Sequence, residues 1–567
     1  MKRYTQGLCL FLVLVLILAV AGCAGTTTTT VAPAAATTAG NTAATTAAAT
    51  TAAKPKEVIT LNMFYDSPEL YNGWKWGGDP VTQDITAKCG IALNIKYAAS
   101  SNHEELYTML ASGSGFPDLL YSTYVPALYD EGYAMSLNKL ADQYCKPFYD
   151  VLPYQYQEVH ALDDGDIYYI NQSYSDSKKL ASIPGGSKIV TVFVKNNKKW
   201  EEMGKPPLET LEDVRAVAKQ AKANGSKYPV FLTSYAWGVT TDINALQVAR
   251  ASFAGPQFIY KQANGVVTFN IKSEEYKKGA AYVNSLYQDG LIQADNFTFK
   301  ASNDDSVRQI AQAADPMIVI GHEWQLRMYR QGMEREGTYI PIEPPLGPGV
   351  KRSDIVINDF NVSNIGNTGG VFVMNTTKQP KACIEFLTYM LKDDVQLMCV
   401  NGREGIDFKV DYSKDTKYGR RILTDALQAD LKSMKNPEFM NKWGYFNNIM
   451  RMVMTRWSIA YYNRPYNEAF PEVSDDILTS FGAKYGKEFK ELNLTTKFTN
   501  ADEQLLYNNV VKEWTAGEAE MILAPNNGAF EAAYTKTIAN MNKVGLADLE
   551  KLLTERYNYW MAKLGKK

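Results

Sequence analysis

Between residues 59 and 121 the sequence alternates strand and helix signals without a break, and few architectures accept that order. "ITLNMFY" (59–65) sets Ile59, Leu61, Met63 and Tyr65 against Thr60 and Asn62, the period of two expected of a strand. Asp79 then stands as an N-cap before Pro80 at the first helical position, and Gly90 marks the stop. "IALNIKY" alternates again at Ile91, Leu93, Ile95 and Tyr97. In "SNHEELYTMLASG" a capping box of Ser101 with Glu104 precedes apolar Leu106, Met109 and Leu110 at helical spacing, and the apolar run "LLY" follows at 119–121. The reading is βαβαβ. Parallel strands joined by helices build a sheet covered on both faces, with its ligand crevice beyond the carboxyl ends of the strands. Those ends are Tyr65-Asp66 and Tyr121-Ser122.

A second α/β unit begins near residue 190 with "IVTVFVK". A helix follows that is capped by Thr210 with Asp213 three positions on, and then the strand "YPVFLTS". "PMIVIG" (316–321) and "GGVFVMN" (369–375) read as further buried strands. The helix after Pro380 is expected to bury Cys383, Ile384, Leu387, Met390 and Leu391, and the chain from 420 onward reads mostly helical. No repeat of solenoid period is present.

Ahead of this body, Lys2 and Arg3 precede an apolar run at 8–21, too short to cross a bilayer core and of the length of an export signal. Val20-Ala21-Gly22-Cys23 resembles the lipobox of bacterial lipoproteins. The expected segments are a signal peptide at 1–22 and Cys23 as the lipid attachment site, carrying diacylglycerol and palmitate, at the head of a tether at 23–56. A plain signal peptide with an incidental cysteine is the alternative. Of the 33 residues 24–56, Thr (12) and Ala (13) make up 25, with no aromatic residue. Such a segment buries too little apolar surface to offset its ordering entropy, and as a coil it spans roughly 30 Å.

The body, 57–567, is long enough for two or three domains with their own cores. A net charge of -2 leaves no basic excess for nucleic acid or anionic lipid, so membrane contact is expected through Cys23 alone. Cys89, Cys145, Cys383 and Cys399 lack CxxC spacing and the chain holds three histidines, which argues against zinc. These four thiols allow three disulfide pairings or none, and the sequence does not choose. The carboxylates of "LDDGDIYY" (162–169; Asp163, Asp164, Asp166) lack the spacing of a calcium loop and fit a hairpin turn centred on Gly165. No metal or cofactor is expected.

Aromatic plates edged by short polar side chains suit ligands with apolar faces and polar rims, of which sugars are one class. Tyr (36) and Trp (9) outnumber Phe (22) two to one. Four strand ends carry them: "FYDSPELYNGWKWGG", "YSTY", "SYAWG" and "GHEW". The candidate ligand residues are Trp324, Glu323, Trp237, Tyr235, Tyr65, Asp66, Ser122 and Tyr124. Each aromatic has a plainer reading as a packed core residue. Trp457, on a helical stripe with Met450, Met454 and Tyr461, is read as core.

"TAKCGIALNIKY", "LYTMLASGSGFPDLLY", "DDGDIYYI", "FVKNNKKWEEMGKPPLETLEDV" and "KQPKACIEFLTYMLKDDVQLMCVNGREGIDF" in this order resemble the extracellular solute-binding proteins of family 1. These are sugar-binding lipoproteins of ABC importers, here of the large Gram-positive type. The chain departs from the pattern in lacking a glycine before "PMIVIG" and in carrying Asn171 where proline is common.

The resemblance implies an α/β, two-lobed, periplasmic-binding-protein-like fold of type II, hinged between lobes, with a helical C-terminal part. Lobe one is expected at 57–170 and 320–375, lobe two at 171–319 and 376–567. It also implies a stacking role for Trp324 after the second crossover, facing Trp237 and Tyr235 of the other lobe. The expected function is capture of a carbohydrate, an oligosaccharide, by hinge closure and delivery to the membrane subunits of an ABC permease. The carrier would be a monomer anchored at the outer face of the cell membrane. Two other readings stand beside it: a surface glycoside hydrolase, which needs two carboxyls flanking the bond, and a sugar sensor or adhesin without transport.

Overall fold

The computed structural model describes residues 57–67, 74–99, 103–123, 126–162, 164–171, 174–183, 191–232, 245–297, 309–310, 313, 315–322, 339–359, 369–413, 420–433, 436–444, 473–498 and 500–566. Strands β1 (Ile59–Tyr65), β2 (Ile91–Tyr97) and β3 (Leu119–Ser122) run parallel, joined by helices α1 (Pro80–Cys89) and α2 (Glu104–Ser112). This is the βαβαβ order read from the sequence. β4 (Tyr169–Asn171) completes the first sheet through a later strand, β12 (Gly370–Val373), antiparallel to both β3 and β4, in the order β2-β1-β3-β12-β4. Leu61, Met63 and Tyr65 of β1 enter one apolar cluster, while Phe64 joins Leu120 and Phe372 in another. Both faces of the sheet are covered, as a parallel sheet requires.

The local signals explain the elements. Asp79 caps α1 by accepting from the Thr82 N–H at 2.9 Å, a contact typically worth about 1 kcal/mol, and Thr210 and Asp213 form their capping box on the helix Leu211–Ala223. One expectation fails. The N-cap of α2 is His103, in a left-handed conformation at φ 59° with no side-chain cap, so Glu104 opens the helix instead of closing a capping box. Its imidazole is engaged elsewhere, with Asp66.

The second sheet is built from β5 (Thr191–Asn196), β6 (Val230–Leu232), β9 (Ile318–His322) and β10 (Tyr339–Ile342), in the order β10-β5-β9-β6. A hairpin of β7 (Ile259–Lys261) and β8 (Val267–Phe269) lies beside it in sequence, and β11 (Ile357–Asn358) pairs with Gly486–Lys487. Here the expected lobe boundaries need correction. β9, read as the start of the return into the first lobe, pairs with β5 and β6, because Ile318 and Ile320 join the apolar cluster of the second lobe. The helix Pro380–Met390, assigned to the second lobe, buries Cys383, Ile384, Phe386, Leu387 and Met390 in the cluster of the first. The return therefore falls between β11 and β12. A later crossing brings the helix Val473–Tyr485 to the second sheet, where Leu478 and Phe481 pack with Val192 and Val194.

The last helix, Leu546–Lys563, belongs to both lobes. Leu546, Leu549 and Leu553 are buried in the second-lobe cluster, and Trp560 is buried in the first with Phe148 and Tyr156. No described helix is long and apolar enough to cross a membrane.

Candidate ligand-binding site

The in-register pairing of the first sheet sets Tyr97, Tyr65 and Tyr121 level with one another at the carboxyl ends of β2, β1 and β3. The Tyr65 and Tyr121 rings stack at 4.3 Å and 9°, and both are buried in the first-lobe core. Tyr65 is thus a packed aromatic and not a ligand plate; the plainer reading holds for it. The same is true of the tryptophans after β1. Trp74 is buried and donates to Asp79 at 3.1 Å, and Trp76 donates to Thr86 at 2.8 Å and meets Phe386 edge-on. They brace α1.

One step further along the chain the polar candidates come together. The Asp66 N–H donates to the Tyr121 carbonyl at 3.0 Å, fixing the residue just past the sheet. Its side chain is fully buried, and its Oδ2 accepts from Ser122 Oγ at 2.7 Å and from His103 Nδ1 at 2.6 Å. Oδ1 is equally buried and has no hydrogen-bond partner. The bond to Asp66 raises the His103 pKa above its ordinary value, against a smaller opposing effect of burial. The loops after β1 and β2 and the last residue of β3, at one end of the sheet, supply the three residues. The sequence reading named Asp66 and Ser122 and missed His103. The signal was present: His103 lies between β2 and α2, a strand-to-helix loop at the same end.

Gly369 and Gly370 close the other side of this end. A Cβ on Gly369 would stand 2.5 Å from the Ser122 carbonyl, and one on Gly370 2.5 Å from the Ile170 carbonyl. Only glycines let β12 enter between β3 and β4 here, and Gly369 also takes φ +87°, a region that disfavours any side chain.

Tyr124, Tyr235, Trp237, Glu323, Trp324, Trp457 and Cys23 lie outside the described residues. The strands that lead to four of them are described. Leu232 ends β6 and His322 ends β9, and these strands are parallel neighbours, Leu232 opposite Ile320. Trp237 and Trp324 therefore follow adjacent strands of one sheet, where the sequence reading set them on opposite lobes.

The acidic stretch is a turn, as expected: Leu162 N–H donates to the Asp166 carbonyl at 3.0 Å around Gly165 at φ 81°. Asp166 is paired with Lys139, and Asp164 Oδ2 accepts from the Tyr168 hydroxyl at 2.6 Å. Asp163 is outside the described residues. Among the described residues no group of three or more His, Cys, Asp or Glu could hold a metal ion. Cys89, Cys145, Cys383 and Cys399 form no disulfide with one another, and burial pushes Cys383 up to about 12.

The family described as bacterial extracellular solute-binding protein matches residues 78–397, more than half of the chain. No curated protein matches the sequence. Among solved structures, the calcium-free alginate-binding protein AlgQ2 is similar with a TM-score of 0.62 at 17% identity, covering 88% of this chain and 98% of its own. An extracellular solute-binding protein from Bifidobacterium longum subsp. infantis is similar with a TM-score of 0.61 at 14% identity, covering 89% and 98%. The EF-hand mutant of FusA, an ABC-transporter substrate-binding protein of S. pneumoniae, in complex with fructo-nystose, gives 0.63 at 14% identity, covering 89% and 99%. At these identities the likeness is one of fold.

Proposed function

The chain belongs to the bacterial extracellular solute-binding proteins of ABC importers, and from that premise we propose that it captures a carbohydrate, an oligosaccharide, and delivers it to a membrane permease. The observation that carries the ligand class is Asp66. A buried carboxylate with one oxygen held by two donors and the other open suits a ligand rich in hydroxyl groups. The solved relatives support it, since those named above were determined as an alginate-binding protein and with fructo-nystose. The ligand would lie between the end of the first sheet, at Asp66 and Ser122, and the ends of β6 and β9, beyond which Tyr235, Trp237, Glu323 and Trp324 follow. Closure of the lobes would be favoured by contacts to both.

The protein would act by binding and return its ligand chemically unchanged. It would be exported by residues 1–22, anchored as a monomer through Cys23 by diacylglycerol and palmitate, and held off the outer face of the membrane by 24–56. A thermal-shift screen over glycan fragments tests the ligand class. A ligand at 100 times its dissociation constant raises stability by about 2.7 kcal/mol, and the reading fails if peptides, but no glycans, shift the melt. Fatty-acid labelling of cells expressing wild type and Cys23→Ser tests the anchor: label on the first only is the expected result.

A further inference from the structure

We propose that His103 is a positioning residue for ligand capture: with Ser122 it holds the Asp66 carboxylate so that Oδ1 takes a donor from a neutral or amine-bearing sugar and turns acidic sugars away. This rests on the carbohydrate-binding reading above and names the class of sugar.

Both donors fall on the same oxygen. Ser122 Oγ and His103 Nδ1 reach Oδ2 at 2.7 and 2.6 Å, while Oδ1 is left with none, although the side chain is wholly screened from water. Buried acceptors without a donor are rare, because each gives up its hydration for nothing in return. This one persists because the backbone holds Asp66 to β3 and two side chains fix the plane of its carboxylate. Its place past the carboxyl ends of β1 and β3 is where a ligand of such a sheet arrives.

The state of His103 gives a second sign. A non-glycine residue at φ 59°, ψ 20° is strained, and at the N-cap of α2 it would ordinarily repay the helix with a side-chain hydrogen bond. It makes none there and is turned to Asp66 instead. Its side chain is about a quarter exposed, while the carboxylate it holds has no exposure at all.

The open oxygen accepts and cannot donate, so it matches a sugar hydroxyl or an ammonium group. A uronate brought to the same point sets its carboxylate against Oδ1, the oxygen that neither His103 nor Ser122 covers.

The test is calorimetric titration of the full body with kestose, maltotetraose, xylotetraose, a glucosamine tetramer and a galacturonate tetramer. The expected binders are neutral or amine-bearing, and the galacturonate tetramer binding as tightly as any of them overturns the proposal. If none of the five binds, the carbohydrate reading itself falls. With the tightest binder, Asp66→Asn and His103→Ala should each weaken binding at least tenfold. His103→Asn keeps a donor and tolerates the left-handed backbone, and it should restore most of the loss. Equal affinity of His103→Ala and wild type, or equal loss in His103→Ala and His103→Asn, makes His103 structural only and ends the proposal.

Discussion

Lys497 and Val159 stand 338 positions apart, and the Lys497 ammonium donates to the Val159 carbonyl inside the joint between the lobes. The Trp560 ring lies 6.0 Å from the same ammonium, Lys563 donates to the Ala161 carbonyl, and the Tyr129 hydroxyl donates to the Phe498 carbonyl at 3.3 Å. A chain end from the second lobe is thus stitched to the end of the helix Tyr156–His160 in the first.

Burial, with Lys563 and Arg556 nearby, holds Lys497 well below its ordinary value of 10.5. The folded state then binds this proton more weakly than the unfolded state does. The resulting cost is fully present below the folded pKa and disappears as pH rises toward the unfolded one. Lys497→Met should therefore equal or exceed wild type in urea stability at pH 7. At pH 10 it should fall below by about 1 kcal/mol, the worth of the lost hydrogen bond. A stability difference that does not change with pH would show that Lys497 is not titrating in this way.

Trp560 of the last helix is buried in the first-lobe cluster. Trp560→Ala should cost about 3–5 kcal/mol of stability, as for other large-to-small changes in a core. Equilibrium denaturation followed by a probe in each lobe checks it. The expected result is earlier loss of the first-lobe signal.

His103 should titrate above 6.5 in the imidazole signals of the folded protein, because Asp66 stabilises the charged ring. Asp66→Asn should bring the value down. The sign for stability follows: the His103–Asp66 contribution is complete below the unfolded pKa of His103 and is lost as pH rises through the folded one.

Trp324 follows β9 by two residues in the sequence and is proposed above to meet the ligand. Stacking and apolar burial on one indole are worth roughly 1–3 kcal/mol. Trp324→Ala should weaken glycan binding about ten- to hundredfold and leave the ligand-free melt nearly unchanged. A lowered melt with unaltered affinity identifies a core residue instead.

The first sheet was readable because each of β1, β2 and β3 is followed or preceded by its own cap and stop, as at Asp79 and Gly90, and these act within a few residues. The lobe boundaries were not, because β9 looks the same whichever sheet receives it. Its partners β5 and β6 lie about a hundred residues away in sequence, and only the shared cluster around Ile318 and Ile320 decides. Site residues divided in the same way. The place of Asp66 and Ser122 at the end of the first sheet was legible from topology, since short polar side chains at strand ends have few packing duties. Tyr65 was misread because alternation along β1 gives it the same inward side as Leu61 and Met63, so its ring goes to the core. His103 was hidden behind a capping-box pattern that the backbone does not follow.

The last helix also bears on how the molecule is made. The core of the first lobe needs the helix Pro380–Met390 and then Trp560, both far along the chain from β1, which opens at Ile59. A chain emerging from the ribosome cannot complete this lobe until the helix Leu546–Lys563 has appeared. Folding that waits on distant segments is slow. For a chain exported as proposed above, the delay would keep it in a transportable state until the last helix is released on the far side.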